Sequence, residues 1–148
     1  MKTHETETKH GVLQYEIRED GVILTGYRGR DIMLVIPERL EDRPVTVIGK
    51  KAFLGAKELQ QLFLPESIVS IQDWAFACCS ALTTLVLPRK KIDTGQGILK
   101  DCSRLRQIAA VSGERDGLAS LESLSGTEEQ VSRLLAAAMG SLDAFYLF

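Results

Sequence analysis

The chain has 148 residues, which suits a single domain, with 45% hydrophobic and 26% charged residues, both ordinary for a folded domain. Lys and Arg total 18 against 20 Asp and Glu, and a net charge of -2 argues against a dedicated nucleic-acid binder. No apolar run reaches the roughly 18 residues of a membrane-spanning helix, so no membrane span is expected.

Residues 1–12 are polar and partly acidic, with little to bury, and are expected to form a disordered tail. They hold no apolar signal-peptide core, and with the initiating Met1 the expectation is a cytoplasmic protein. Leu13-Gln14-Tyr15-Glu16-Ile17 alternates, Glu19-Asp20-Gly21 supplies a turn, and Val22-Ile23-Leu24 returns, which predicts a β-hairpin over 13–27. Its place at the start of the apolar repeats makes it a cap.

The repeats follow at an offset of 23 residues. Ala52-Phe53 recurs as Ala75-Phe76 and then as Ile98-Leu99; Leu59 recurs as Leu82 and Leu105; Leu62 as Leu85 and Ile108; Ile48 as Ile71; Pro65 as Pro88. Leu34-Val35-Ile36-Pro37 is an earlier partial copy, and its proline precedes Pro65 by 28, placing an insertion of five around Glu41-Asp42-Arg43-Pro44. Leu62-x-Leu64 and Leu85-x-Leu87 alternate like short strands with one buried face. The proline after each has no N–H to give a ladder and ends the strand. One coil cannot enclose its own apolar face, so neighbouring coils must stack, with parallel strands about 4.8 Å apart. The third copy decays: Thr94 stands where Ile48 and Ile71 did, and Val111 replaces the proline.

Beyond the repeats, residues 112–148 are expected to form a loop and a helical cap. Ser112 to Gly126 is rich in Ser and Gly and reads as a loop, with room for a short helical turn over 117–124. Thr127-Glu128-Glu129-Gln130 fits a capping box, and Val131, Leu134, Leu135, Ala138 and Met139 share one helical face, which predicts a C-terminal α-helix closing the last coil. The apolar stretch ending in Phe145, Tyr146, Leu147 and Phe148 either folds back on that cap or offers a self-association surface.

The unit Leu59-x-x-Leu62-x-Leu64-Pro65-x-x-Ile68-x-x-Ile71-x-x-x-Ala75-Phe76-x-x-Cys79-x-x-Leu82 resembles the BspA-like (Treponema pallidum type) leucine-rich repeat, and the resemblance covers roughly residues 13–110. It implies a leucine-rich-repeat solenoid: mainly β, with short parallel strands in stacked 23-residue coils. It also implies a protein-binding role, in a family whose members are often bacterial and secreted or surface-attached. Residues 13–111 are therefore expected to form the repeat domain with its N-terminal hairpin cap.

The register sorts surface from core. On each strand the residues beside the buried leucine face outward. These outward positions are Met33 and Val35, Gln61 and Phe63, Thr84 and Val86, and Gln107 and Ala109. All are uncharged, which makes them the candidate partner-binding face, although β-propensity at half-exposed strand positions produces the same composition. A homo-oligomer through this face or the apolar C-terminus is the alternative.

Signatures of chemistry are few, and no enzyme activity or cofactor is expected. His4 and His10 lie in the polar tail, and no nucleophile elbow, P-loop or dinucleotide fingerprint is present. Thr94-Gly95-Gln96-Gly97 aligns with a turn of the third coil and does not read as a phosphate loop. Cys79 and Cys102 occupy equivalent positions about 5 Å apart in stacked coils, within disulfide reach, but fit better as small buried thiols where the preceding coil has Ala56. Cys78 points away from Cys79, which disfavours a metal site. Arg89-Lys90-Lys91, Lys100, Arg104, Arg106 and Arg115 make the late part of the chain basic. This is a solvated surface or a face for an acidic protein; nucleic acid is not expected without interleaved exposed aromatics.

Overall fold

The computed structural model describes residues 3–88, 92–111 and 118–123, with the backbone alone at 107, 109–111 and 118–123. Its strands are β1 (His4–Glu7), β2 (Gly11–Arg18), β3 (Gly21–Gly29), β4 (Met33–Val35), β5 (Arg39–Leu40), β6 (Arg43–Ile48), β7 (Gln61–Phe63), β8 (Ser70–Ile71), β9 (Thr84–Pro88), β10 (Asp93–Thr94), β11 (Gln107–Val111) and β12 (Leu118–Ser123).

The strands form two sheets. The repeat sheet runs β12-β11-β9-β7-β4, and the back sheet runs β1-β2-β3-β6-β8-β10, with β5 paired to β6. Each of the first three coils gives one strand to each sheet (β4 and β6, β7 and β8, β9 and β10), then returns through a run of turns. The 23-residue offset is the pairing register itself: Leu62 lies beside Leu85, Leu85 beside Ile108, and Ile48 beside Ile71 beside Thr94, while Leu34 lies beside Leu62 at 28 because of the insertion. The leucines, Ile48, Ile71, Phe53 and Phe76 are buried between the sheets in one continuous core. The rings of Tyr27 and Phe53 stack within it and Phe76 meets Phe53 at a tilt, with centroids 5.4 and 5.6 Å apart.

The turn segments carry a third ladder. Phe53 N–H donates to Ala75 O at 2.7 Å, Phe76 N–H to Ile98 O at 2.9 Å, and Cys78 N–H to Lys100 O at 2.7 Å. Two corners per coil take left-handed backbone: Lys51, Trp74 and Gly97 (φ 58, 55 and 58°), then Gly55, Cys78 and Asp101 (φ 72, 60 and 60°). Four of these six are not glycine, and each such corner carries a steric cost of about 1–2 kcal/mol. That is why composition does not reveal them.

The expected hairpin cap is β2 and β3, antiparallel around Glu19-Asp20, with β3 parallel to β6. The five-residue insertion is a small hairpin of β5 and β6. Its tip, Glu41-Asp42, has both residues at positive φ (51 and 64°), the two-residue turn that suits strand twist. The tip reaches the cap, where the Tyr15 hydroxyl donates to Glu41 Oε2 at 2.6 Å and the His4 ring stacks on Tyr15 at 5.3 Å.

Two expectations need correction. Residues 1–12 are not a disordered tail through their length: His4–Glu7 pairs antiparallel with β2, and Gly11 and Val12 belong to β2. A buried acid explains this. Asp31 is 2% exposed and accepts from the Thr8 hydroxyl, from the His10 N–H at 2.9 Å and from the Tyr27 hydroxyl at 2.7 Å, which ties the first residues to the first coil. Similarly, 118–123 is strand and not a helical turn, because it pairs antiparallel with the edge of β11. The expected helix over 127–139 and the apolar end at 145–148 lie outside the described residues, as do Arg89, Lys90, Lys91 and Arg115.

Candidate binding face

Parallel pairing aligns the outward positions in two straight rows. Met33, Gln61, Thr84 and Gln107 form one, and Val35, Phe63, Val86 and Ala109 the other. Adjacent members are one strand spacing apart, about 4.8 Å. The eight positions are brought together as the repeat register predicts.

Their exposure is uneven. Met33 is 57% and Val35 62% exposed, and Gln61 is also open. Phe63 and Thr84 are half-buried, and Val86 is 8% exposed although it lies outside the core enclosed by the coils. The sequence treats the row as uniform, whereas solvent reaches it chiefly at the β4 end. Ile32, also 57% exposed, widens the apolar surface there.

The Asp31 node lies beside this open end. Burial alone would raise its carboxyl, but the bonds from Thr8, Tyr27 and the His10 amide hold it below the usual carboxylate range. Burial, reinforced by the bond to Asp31, pushes the Tyr27 phenol up to about 12. The bond to Glu41, then burial, pushes Tyr15 up to about 12. These groups fix the cap to the first coil.

The remaining candidates resolve into structural roles. The Cys79 thiol donates to Phe53 O at 3.2 Å and the Cys102 thiol to Phe76 O at 3.1 Å, the same contact one coil apart. All three cysteines are free. The neighbouring Cys79 sulfur and burial push the Cys102 thiol up, away from the reactive thiolate. Among the described residues no cluster of His, Cys, Asp and Glu could hold a metal ion. Trp74 lies beside the Lys51 ammonium, 5.1 Å from its ring centroid, and covers Gly97, where any side chain would collide with the indole. At 40% exposure it packs between coils while keeping one side in solvent. The Gln96 backbone N–H donates to the Asp73 carboxylate at 2.9 Å, which ties the Gly95–Gly97 turn to the preceding coil beside a cleft also lined by Lys50 and Asp93.

Comparison with known proteins agrees with the register. The family described as BspA type leucine rich repeat region (6 copies) matches residues 36–116. The chain belongs to this BspA-type leucine-rich-repeat family. It is similar in structure to the T. pallidum leucine rich repeat protein, with 25% identity and a TM-score of 0.50 over 76% of this chain and 67% of that one. It also resembles a leucine rich cell surface protein from Faecalibacterium prausnitzii, with 18% identity and a TM-score of 0.58 over 75% of this chain. The chain spans only 31% of that second protein, and the likeness shows the fold alone. No curated protein matches the sequence. Among the described residues no helix is long and apolar enough to cross a membrane.

Proposed function

We propose that this BspA-type repeat unit is a non-enzymatic protein-binding module that meets its partner with the outward rows of the repeat sheet. The observation that carries this reading is the concentration of exposed apolar side chains at Ile32, Met33 and Val35, in register with Phe63. Solenoids of stacked repeats offer such an extended sheet surface to partners, and a soluble chain does not keep a contiguous apolar patch without cost. Met33, Val35, Gln61 and Phe63 are the primary contacts. Thr84, Val86, Gln107 and Ala109 extend the face along the next strands, with Val86 its least exposed member. No nucleic acid, membrane or cofactor enters this reading. The F. prausnitzii protein is described as a cell surface protein, so display at the surface is a setting for this face alongside the cytoplasm.

The test is Phe63→Glu. Wild-type chain used as bait should retain a protein whose purified form binds it directly, and Phe63→Glu should abolish that binding while far-UV circular dichroism and melting temperature stay nearly unchanged. Retained binding by the variant would remove the sheet face from the reading. The second reading is a small structural unit that self-associates through the sheet face or through Phe145, Tyr146, Leu147 and Phe148. A stable oligomer in light scattering without added partner, lost on removal of those four residues, would favour it.

A further inference from the structure

The back sheet and the repeat sheet begin differently. The back sheet is continued past the first coil by β3, β2 and β1, whereas the repeat sheet stops at β4. Gln61 N–H donates to Ile32 O at 3.0 Å and Ile36 N–H donates to Phe63 O at 2.9 Å, so Ile32 and Ile36 turn their backbone groups toward β7. By the alternation of a strand, Leu34 does the same, and Met33 and Val35 turn theirs the other way. Among the described residues nothing hydrogen-bonds to those Met33 and Val35 groups. They border a cleft of about 340 Å³ between β4 and the Thr6–Lys9 segment, with Leu13, Pro37 and Leu40 in its walls.

An open edge of this kind is a template for another strand. The surroundings specify which. On the inner side an added residue opposite Leu34 would meet Leu13 and Leu40; on the outer side its neighbours would lie beside Met33 and Val35. Apolar side chains suit both. The ends of the strand are charged: Lys9 and exposed Arg30 lie toward its start, and exposed Glu38 lies just past its end, where the adjoining Arg39 guanidinium is engaged by the Asp42 carbonyl. The Asp31 carboxylate is already taken by Thr8, His10 and Tyr27, while Glu7 on the wall offsets part of Lys9. A second copy fits poorly, because its own β4 edge is walled by its Thr6–Lys9 segment, which would meet the same segment of the first copy. A single extended segment meets no such obstruction.

We propose that the β4 edge binds an extended peptide segment as an antiparallel added strand, with a basic residue toward Glu38, three uncharged apolar residues along Met33–Val35, and an acidic residue toward Arg30 and Lys9. In this register the two residues flanking the centre exchange hydrogen bonds with Val35 and Met33, and the central N–H points away from β4.

The test uses the full chain and a fluorescently labelled acetyl-Lys-Val-Ile-Val-Glu-amide peptide. Saturable binding is expected, weakened roughly tenfold or more by N-methylation of both valines and little changed by N-methylation of the isoleucine. Exchanging the peptide's Lys and Glu should weaken binding severalfold. Val35→Pro removes an edge donor without touching the β4–β7 bonds and should abolish binding in a chain of unchanged circular dichroism. Absence of saturable binding, equal binding of the two N-methylated forms, or an edge-dependent dimer in light scattering would overturn the proposal. The edge and the sheet face share Met33 and Val35, but Phe63 lies on β7, one strand in from the edge, so Phe63→Glu should leave peptide binding intact and either idea can fail alone.

Discussion

The two ends of the repeat sheet are built unlike each other. At the C-terminal side β11 is continued by antiparallel β12, and Val86, one strand in, is already buried. At the N-terminal side β4 has a free edge, and Ile32, Met33 and Val35 are all more than half exposed. The cap that covers the first coil joins only the back sheet. One family repeat therefore yields a protected surface at one end and an apolar, hydrogen-bond-hungry one at the other. The difference lies in what adjoins the first and last coils.

Five substitutions probe this contrast, from the largest expected effect to the smallest. Phe53→Ala removes the ring between Tyr27 and Phe76 and should cost about 3–5 kcal/mol in denaturant melts, uncoupling the first coil from the rest. Asp31→Ala strips the acceptor from Thr8, His10 and Tyr27 and should cost about 1–3 kcal/mol, with the loss of amide protection concentrated in β1. The sign with pH follows from the lowered Asp31 value. Its contribution is present above the unfolded carboxyl value near 3.8 and is lost as pH falls through the lower folded value, so wild-type and Asp31→Ala melts should converge in acid. Tyr27 acts in the opposite sense: its contribution is complete below pH 10 and fades as pH rises through about 12.

Gly97→Ala places a Cβ at a left-handed corner and against Trp74, and should cost about 1–2 kcal/mol or more. The converse change, Cys78→Gly at the exposed left-handed corner of the preceding coil, should raise stability by up to about 1 kcal/mol. Smallest of all, Phe63→Glu should move thermal stability by no more than about 0.5 kcal/mol, which makes it usable as a binding variant.

Much of the fold was legible because a solenoid writes its register into its spacing. Leu34, Leu62, Leu85 and Ile108 are neighbours in the sheet, as the aligned repeats require, and the insertion before Pro65 is the Glu41-Asp42 hairpin. What escaped the sequence depends on contacts without a period. Asp31 orders residues that look too polar to fold, through bonds spanning more than 20 positions. Lys51 and Trp74 take left-handed backbone because the coil-to-coil ladder demands it, against their own preference. Leu118–Ser123 is a strand because β11 offers it an edge, not because of its own alternation. The binding rows were legible as positions, while their gradient of exposure was not, since Val86 and Val35 are equivalent in the repeat.

The most direct measurement of the open β4 end is amide hydrogen exchange read residue by residue by NMR. Leu34 and Ile36 should exchange slowly and Met33 and Val35 quickly, an alternation along one short strand that only an uncovered edge produces. Equal protection at all four amides would mean that the edge is already covered, and would contradict the account.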